Sequence, residues 1–339
     1  MSNLAKYTEG QAGVPAIVNN IFLANSDSFQ TLALDIFRHQ YQYNALYKRW
    51  VNALQVNPAD VKQLTEIPFL PVAFFKSHEV VTGSFEPEQV FESSGTTNTT
   101  NSRHLIKDVT LYTDSFTKGF KLFYDNPSGF CIIGLLPAYL ERKGSSLVMM
   151  VDKLIKLSGH EKSGFYLYNF QELANVINDL EAKGQKTLLI GVTFALLDFA
   201  EQFPIKLNHT IVMETGGMKG RRREMIREEV HGYLQEQFGI ATIHSEYGMT
   251  ELLSQAYSFG NGVFKPVPWM KILLRDDDDP MVVKDSGKGL INIIDLANVH
   301  SCSFVATDDA GILQSDSSFK VLGRSDNSDI RGCSLLYLQ

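Results

Sequence analysis

Cysteine is scarce in this chain: Cys131, Cys302 and Cys333 are the three present in 339 residues, and no Cys-x-x-Cys or Cys/His ligand spacing occurs. A scattered, odd-numbered set makes neither a disulfide framework nor a structural zinc site, so a reducing cytoplasm is the expected compartment. Long apolar runs are also missing. The longest, around 130–140 and 188–199, are too short or too broken for the roughly 20 residues that cross a bilayer. The polar start, with Glu9 close by, does not read as a secretory signal. Positive charge is not in excess either; a formal net charge of −7 argues against nucleic acid or an anionic membrane as a general partner. Finally, the phosphate-loop pattern Gly-x4-Gly-Lys-Ser/Thr is absent, which disfavours nucleotide enzymes of the kinase and GTPase type.

What is present is an ordinary soluble composition, 44% hydrophobic and 20% charged. Residues 14–56 read as helical, with Ser28 as a cap and Phe29, Leu32, Ala33, Ile36 and Phe37 on one face. Pro58, Pro68 and Pro71 interrupt that pattern. From about 130 to 246, strand-type runs at 130–136, 165–168, 187–192, 210–213 and 241–245 alternate with helical stretches at 145–157, 171–182, 193–202 and 221–237. Such alternation predicts an α/β fold with a largely parallel sheet flanked by helices, and ligands at the carboxyl ends of its strands. Beyond residue 255 the runs 270–274, 290–294 and 303–306 predict a smaller β-rich portion.

Three stretches carry chemistry. Residues 91–104 hold seven Ser or Thr, one Gly and a closing Arg103-His104. Hydroxyls of Ser93, Ser94, Thr96 and Thr97 and the backbone N–H groups around Gly95 suit phosphate oxygens, although a Ser/Thr-rich loop alone is equally a solvated turn. Tyr247-Gly248-Met249-Thr250-Glu251 directly follows the run 241–245, which puts it at a strand's carboxyl end. There Tyr247 can stack on a purine, Thr250 can bind phosphate and Glu251 can hold Mg²⁺, where a cap or turn would be the plainer use. Thr307-Asp308-Asp309-Ala310-Gly311 offers a carboxylate for ribose hydroxyls, though Asp-Asp-x-Gly by itself is mostly a turn. Gly323-Arg324 adds a guanidinium suited to phosphate or ribose.

In this order the pieces resemble the adenylate-forming superfamily of acyl-CoA ligases, luciferases and peptide-synthetase adenylation domains. The narrower resemblance is to the acyl-protein synthetases of bacterial bioluminescence operons, the long-chain-fatty-acid–protein ligases. It is carried further by Leu135-Leu136-Pro137 with Ser145-Ser146-Leu147, Gly216-Gly217 with Lys219-Gly220, Asp295-Leu296-Ala297-Asn298, and the tail Arg331-Gly332-Cys333-Ser334-Leu335. The resemblance implies that Ser94, Gly95, Thr96 and Thr97 cradle ATP phosphates. It also implies that Tyr247 and Gly248 line the adenine site, Thr250 and Glu251 serve phosphate and Mg²⁺, Asp309 binds ribose and Arg324 the nucleotide. Cys333 matches the cysteine that carries the acyl group as a thioester; without the resemblance it would read as a small buried hydrophobe.

The implied divisions are a helical region over 1–85, an α/β nucleotide-binding core over 86–255 and a β-rich portion over 256–339, all within one large domain. Asn98 stands where many superfamily members have Gly, and 15 residues follow Arg324, too few for the lid domain with its lysine. The lid is therefore expected to be absent, and Arg103, Lys219 and Lys76 are the candidates for its positive charge. The implied activity is conversion of a fatty acid to acyl-AMP and transfer to Cys333, then to a partner reductase or acyltransferase. A stand-alone acyl- or aryl-CoA ligase and a degenerate nucleotide-binding interaction protein are the alternatives.

Overall fold

The computed structural model describes residues 14–93, 101–136, 144–216 and 225–324. In chain order it begins with helices α1 (Val14–Ile21), α2 (Phe29–Tyr43) and α3 (Ala45–Ala53), a short strand β1 (Leu70–Pro71) and the turn-long α4 (Phe74–Ser77). A hairpin of β2 (Gln89–Glu92) and β3 (Arg103–Ile106) precedes α5 (Val109–Tyr124). Then come β4 (Cys131–Leu135), α6 (Ser146–Ser158), β5 (Gly164–Phe165), α7 (Phe170–Ala182), β6 (Thr187–Gly191), α8 (Thr193–Gln202), β7 (Thr210–Glu214), α9 (Arg227–Phe238) and β8 (His244–Tyr247). The remainder is β9 (Ala256–Ser258), β10 (Phe264–Pro266), β11 (Met270–Arg275), β12 (Val283–Lys284), β13 (Gly287–Asp295), β14 (Phe304–Leu313) and β15 (Phe319–Arg324).

One sheet joins both halves in the order β12-β11-β13-β14-β15-β10-β9-β8-β7-β6-β4-β5. Strands β4 to β8 pair in parallel; from β9 onward neighbours are antiparallel, apart from β1 along β14. Strands β4, β6 and β7 are apolar on both faces because helices cover both. Ile132, Leu188, Ile190 and Met213 point to the core shared with α5 and α6, while Ile133, Leu189 and Val212 point to the core shared with α7, α8 and α9. The N-terminal helices pack elsewhere: Phe37 and Tyr47 contact Phe304 at ring separations of 6.1 and 5.9 Å, inside the β-rich portion. No described helix is long and apolar enough to cross a membrane.

Four local expectations are corrected. Ser28 does occupy the N-cap of α2, but its hydroxyl bonds backward to Asn25 and makes no forward cap. Strand β8 lies three residues later than its predicted start, because pairing to β7 and β9 begins at His244 and Ser245 and leaves Ala241 and Thr242 exposed. Tyr247 is thus the strand's last residue. The Thr307–Gly311 stretch is not a turn; it lies inside β14, where Asp309 pairs in register with Arg324 of β15. Helix α5, which the sequence reading did not predict, starts where the Asp108 carboxylate accepts from Thr110 N at 2.9 Å.

Candidate active site

A cavity of about 590 Å³ opens at the carboxyl ends of the parallel strands. Leu136 after β4, Val192 after β6, Thr215 and Gly216 after β7, and Glu246 with Gly248–Glu251 at the end of β8 form much of its wall. Parallel strands end in exposed loops on one side of the sheet, which is why ligand groups collect there. The hairpin contributes Ser93 and Ser102, α4 contributes Lys76, and the β14–β15 pair contributes Asp308 and Arg324.

The Gly248–Glu251 turn is held from behind by groups far away in sequence. The Thr250 carbonyl accepts from His104 Nδ1 at 2.9 Å, and the Glu251 carbonyl from Asn298 Nδ2 at 2.7 Å. Burial pushes His104 down to about 4, with the Thr250 carbonyl opposing, so its ring is neutral and Nδ1–H donates. Just beyond the turn, the buried Asp295 carboxylate accepts from Leu253 N, Ser254 N, Ser254 Oγ and Ala297 N at 2.6–3.1 Å. Burial still lifts it to about 6 against those donors. Gln40 of α2 in turn donates to the carbonyls of Asn298 and Val299 and accepts from Ser303 N. The N-terminal helices thereby fix the segment that fixes Glu251.

The Ser/Thr-rich stretch has a closed neck. Ser93 N donates to the Ser102 carbonyl at 3.0 Å, and Ser102 N donates to Ser93 Oγ at 2.9 Å. Ser94, Gly95, Thr96 and Thr97 lie outside the described residues, as do Lys219 and Cys333; Ser93 and Ser102 themselves are on the cavity wall.

Tyr247 Oη donates to Asp309 Oδ2 at 2.7 Å, and Arg324 Nε stands 3.6 Å from Asp309 Oδ1. Burial raises the Asp309 carboxyl, the Arg324 charge pulls it back, and Tyr247 is raised well above its ordinary value by the same burial. The Tyr247 ring meets Phe264 and Phe319 edge-on at 5.9 and 5.6 Å. Arg324 therefore faces the cavity while Tyr247 and Asp309 back it. Of the other predicted groups, Ser93, Gly248, Thr250 and Glu251 line it, and Arg103 does not: it faces Glu92 across the hairpin at 3.8 Å. The start of α8 is split, with Val192, Phe194 and Ala195 on the wall and Leu196 in the core.

Sequence reasoning did not single out Glu246, Gln255 or Glu214, and gave no site role of their own to Asp308 and Gly216, which it met only within longer motifs. Glu214 Oε1 accepts from Thr193 Oγ1 and from Gly216 N at 2.7 Å. Burial opposes its charge, but His231, Arg227 and Thr193 hold it at about 2. A Glu-Thr-Gly corner straight after a strand was the available signal. Cys131 and Cys302 are buried, and burial pushes their thiols up to about 11 and about 12, away from nucleophilic thiolate. Mg²⁺ binds through one or two carboxylates plus substrate phosphates; on the cavity wall the Glu251 carboxylate and the Thr250 hydroxyl are donors of the kind such an ion would take.

A family profile described as acyl-protein synthetase, LuxE, matches residues 23–339. A comparison with curated proteins finds no match. Among solved structures, ATP-bound MatB from Rhodopseudomonas palustris aligns at TM-score 0.52 and 16% identity over 69% of this chain and 47% of its own. A 2-hydroxyisobutyryl-CoA ligase, solved in the postadenylation state, aligns at TM-score 0.60 and 12% identity over 93% of this chain and 72% of its own. At such identities the likeness is one of fold, the adenylate-forming fold, and the chain spans about half the length of MatB.

Proposed function

The chain belongs to the LuxE acyl-protein synthetase family, and on that premise we propose that it activates a carboxylic acid with ATP and passes the acyl group to a cysteine thiol. The observation that carries the reading is one cavity at the strand ends walled by Ser93, Thr250, Glu251 and Arg324 together.

ATP binds with its phosphates toward the Ser93–Thr97 loop and Thr250, and its ribose toward Arg324 and Asp309. A substrate carboxylate oxygen attacks the α-phosphorus in line; the bond from that phosphorus to the α,β-bridging oxygen breaks and pyrophosphate leaves with the bonding pair, giving acyl-AMP. Mg²⁺, held by Glu251 and Thr250, supplies charge neutralisation when bound. The chain's own part is positioning and a cation. Among the described residues Lys76 and Arg324 are the cations on the cavity wall; of the three candidates Arg103, Lys219 and Lys76, it is Lys76, joined by Arg324, that we assign to the lid lysine's role. The Cys333 thiolate then attacks the acyl carbonyl, AMP departs with the bonding pair, and a thioester remains for a partner reductase or acyltransferase to collect.

Carboxylate-dependent exchange of labelled pyrophosphate into ATP tests the first half. Retention of labelled acyl chain on the protein tests the second, with retention expected to vanish in Cys333→Ser while exchange survives. Label passing only to coenzyme A would make the chain a stand-alone CoA ligase instead. Measurable ATP binding without exchange for any acid would make it a nucleotide-binding interaction protein.

A further inference from the structure

The cavity has a polar inner wall that nucleotide chemistry does not use. Glu246 lies on β8 opposite Tyr257 of β9, and Gln255 is two residues from Tyr257, so strand alternation sets all three toward α5. Both Glu246 and Gln255 line the cavity. They meet over Gly248: a Cβ there would come 2.5 Å from Glu246 Oε1 and 3.6 Å from Gln255 Cγ. Any larger residue at 248 would part them.

Among the described residues neither group finds a hydrogen-bond partner for its side-chain oxygens. Gln255 is 4% exposed, and its Oε1 is buried without a hydrogen-bond partner. Among the described residues no hydrogen bond reaches the Glu246 carboxyl. Of the nearby hydroxyls, Tyr112 Oη donates to the Ser146 carbonyl at 2.9 Å and Tyr124 Oη pairs with His244 Nδ1 at 3.0 Å, while Tyr257 Oη is buried and itself without a hydrogen-bond partner. Burial, then the Glu214 charge, lifts the Glu246 carboxyl to about 8, so at neutral pH it keeps its proton and can both donate and accept. A saturated hydrocarbon chain drawn into this space would seal two polar groups away from water with nothing to bond, which is costly.

We propose that the acid activated in this cavity carries a hydrogen-bond donor on its acyl chain, a hydroxyl or an amino group, received by Glu246 and Gln255. The proposal rests on the activation reading above and replaces a plain long-chain fatty acid with a polar-substituted one. Val148 and Met150, on the same wall, pack the carbons between the carboxylate and that substituent. A site built to hold such a group rejects the analogue lacking it more strongly than an apolar pocket rejects a missing methylene.

The test uses the full chain and sets of acids matched in chain length: unsubstituted, hydroxy-substituted and amino-substituted. In pyrophosphate exchange a donor-bearing acid is expected to show at least about tenfold higher kcat/KM than its unsubstituted partner, mostly through KM. Glu246→Leu should erase that preference, and Glu246→Gln, which keeps hydrogen bonding, should retain part of it. Direct comparison of the hydroxy and amino sets identifies the donor. Without nucleotide, donor-bearing acids should raise the melting temperature of the native protein but not of Glu246→Leu. Equal or better use of the unsubstituted acids, unchanged in Glu246→Leu, overturns this proposal and leaves activation standing. No exchange with any acid overturns both.

Discussion

The two halves of the sheet are stabilised in different ways. In β4, β6 and β7 the strand interiors are apolar on both faces and Glu214 stands at a strand end, while polar residues first enter the strands at the seam, with His244, Ser245 and Glu246 in β8. From β9 to β15 polar groups are buried within the fabric: Asn292 and Thr307 lie inside strands, and Asp295 ends one. The parallel half is a scaffold that sets positions, whereas the antiparallel half supplies polar anchors and the Asp309–Arg324 pair. The candidate site sits at their seam, in the turn between β8 and β9. Function at this seam should therefore be sensitive to polar deletions on the antiparallel side and tolerant of apolar truncations on the parallel side.

The largest effect should come from the seam itself. Glu251→Gln removes the carboxylate offered to Mg²⁺ without changing shape, and exchange should fall by about 10²–10³, or about 3–4 kcal/mol of transition-state stabilisation. Melting temperature should barely move. A variant that kept more than a tenth of native exchange would exclude Glu251 from the role.

Next comes a paired test of the two halves. Asp295→Asn swaps an acceptor-only carboxylate for an amide whose NH₂ faces four donors, and should cost about 2–4 kcal/mol in denaturant unfolding. Leu189→Ala empties part of the core under α7 to α9 and should cost a similar ~2–5 kcal/mol. The two should part in function. Asp295 anchors the segment adjoining Glu251, so its variant should also raise the KM for ATP severalfold, while Leu189→Ala leaves KM unchanged. Equal KM values in both would dissolve the contrast.

The same contrast decides what could be read from sequence. Helix α8 falls at 193–202 as expected, and β6 and β7 fall within a residue of their predicted ends, because doubly covered strands are short apolar runs bounded by loops. Asp309 looked like part of a turn because a charged pair inside a sheet is invisible until Arg324, fifteen positions later, is seen paired with it. Helix α5 is poorly legible although Asp108 caps it and Leu111/Ser115 and Tyr112/Phe116 repeat at four-residue spacing, because Thr110, Thr113, Ser115, Thr117 and Gly119 have modest helix propensity and dilute the apolar stripe. Of the cavity lining, Ser93 and Gly248–Glu251 can be picked out of the sequence because each belongs to a local string. Lys76 stood only as one cation among three, and Glu246 and Gln255 did not register, since their meaning comes from chain segments that fold against them.

The smallest expected effect concerns the link between hairpin and turn. His104 is buried between Phe75, 5.6 Å away edge-on, and the Thr250 carbonyl. Its folded value is about 4 against an ordinary 6.5, so between those pH values the unfolded chain binds the extra proton. Stability from this group is therefore present above about 6.5 and lost as pH falls toward 4, on the order of 2 kcal/mol by pH 5. Glu246 works in the opposite sense: lifted to about 8, it holds its proton in the fold and contributes more as pH falls through that value. His244, lowered to about 4 by burial, adds to the His104 direction. The raw pH curve thus mixes signs, and the difference between native protein and His104→Gln isolates one of them. Glutamine can still donate to Thr250 but does not titrate. The variant should lose about 2 kcal/mol less than the native protein between pH 7 and 5 in denaturant unfolding. Parallel curves would mean that His104 is not held neutral, and that the hairpin is tied to the Thr250 turn by something else.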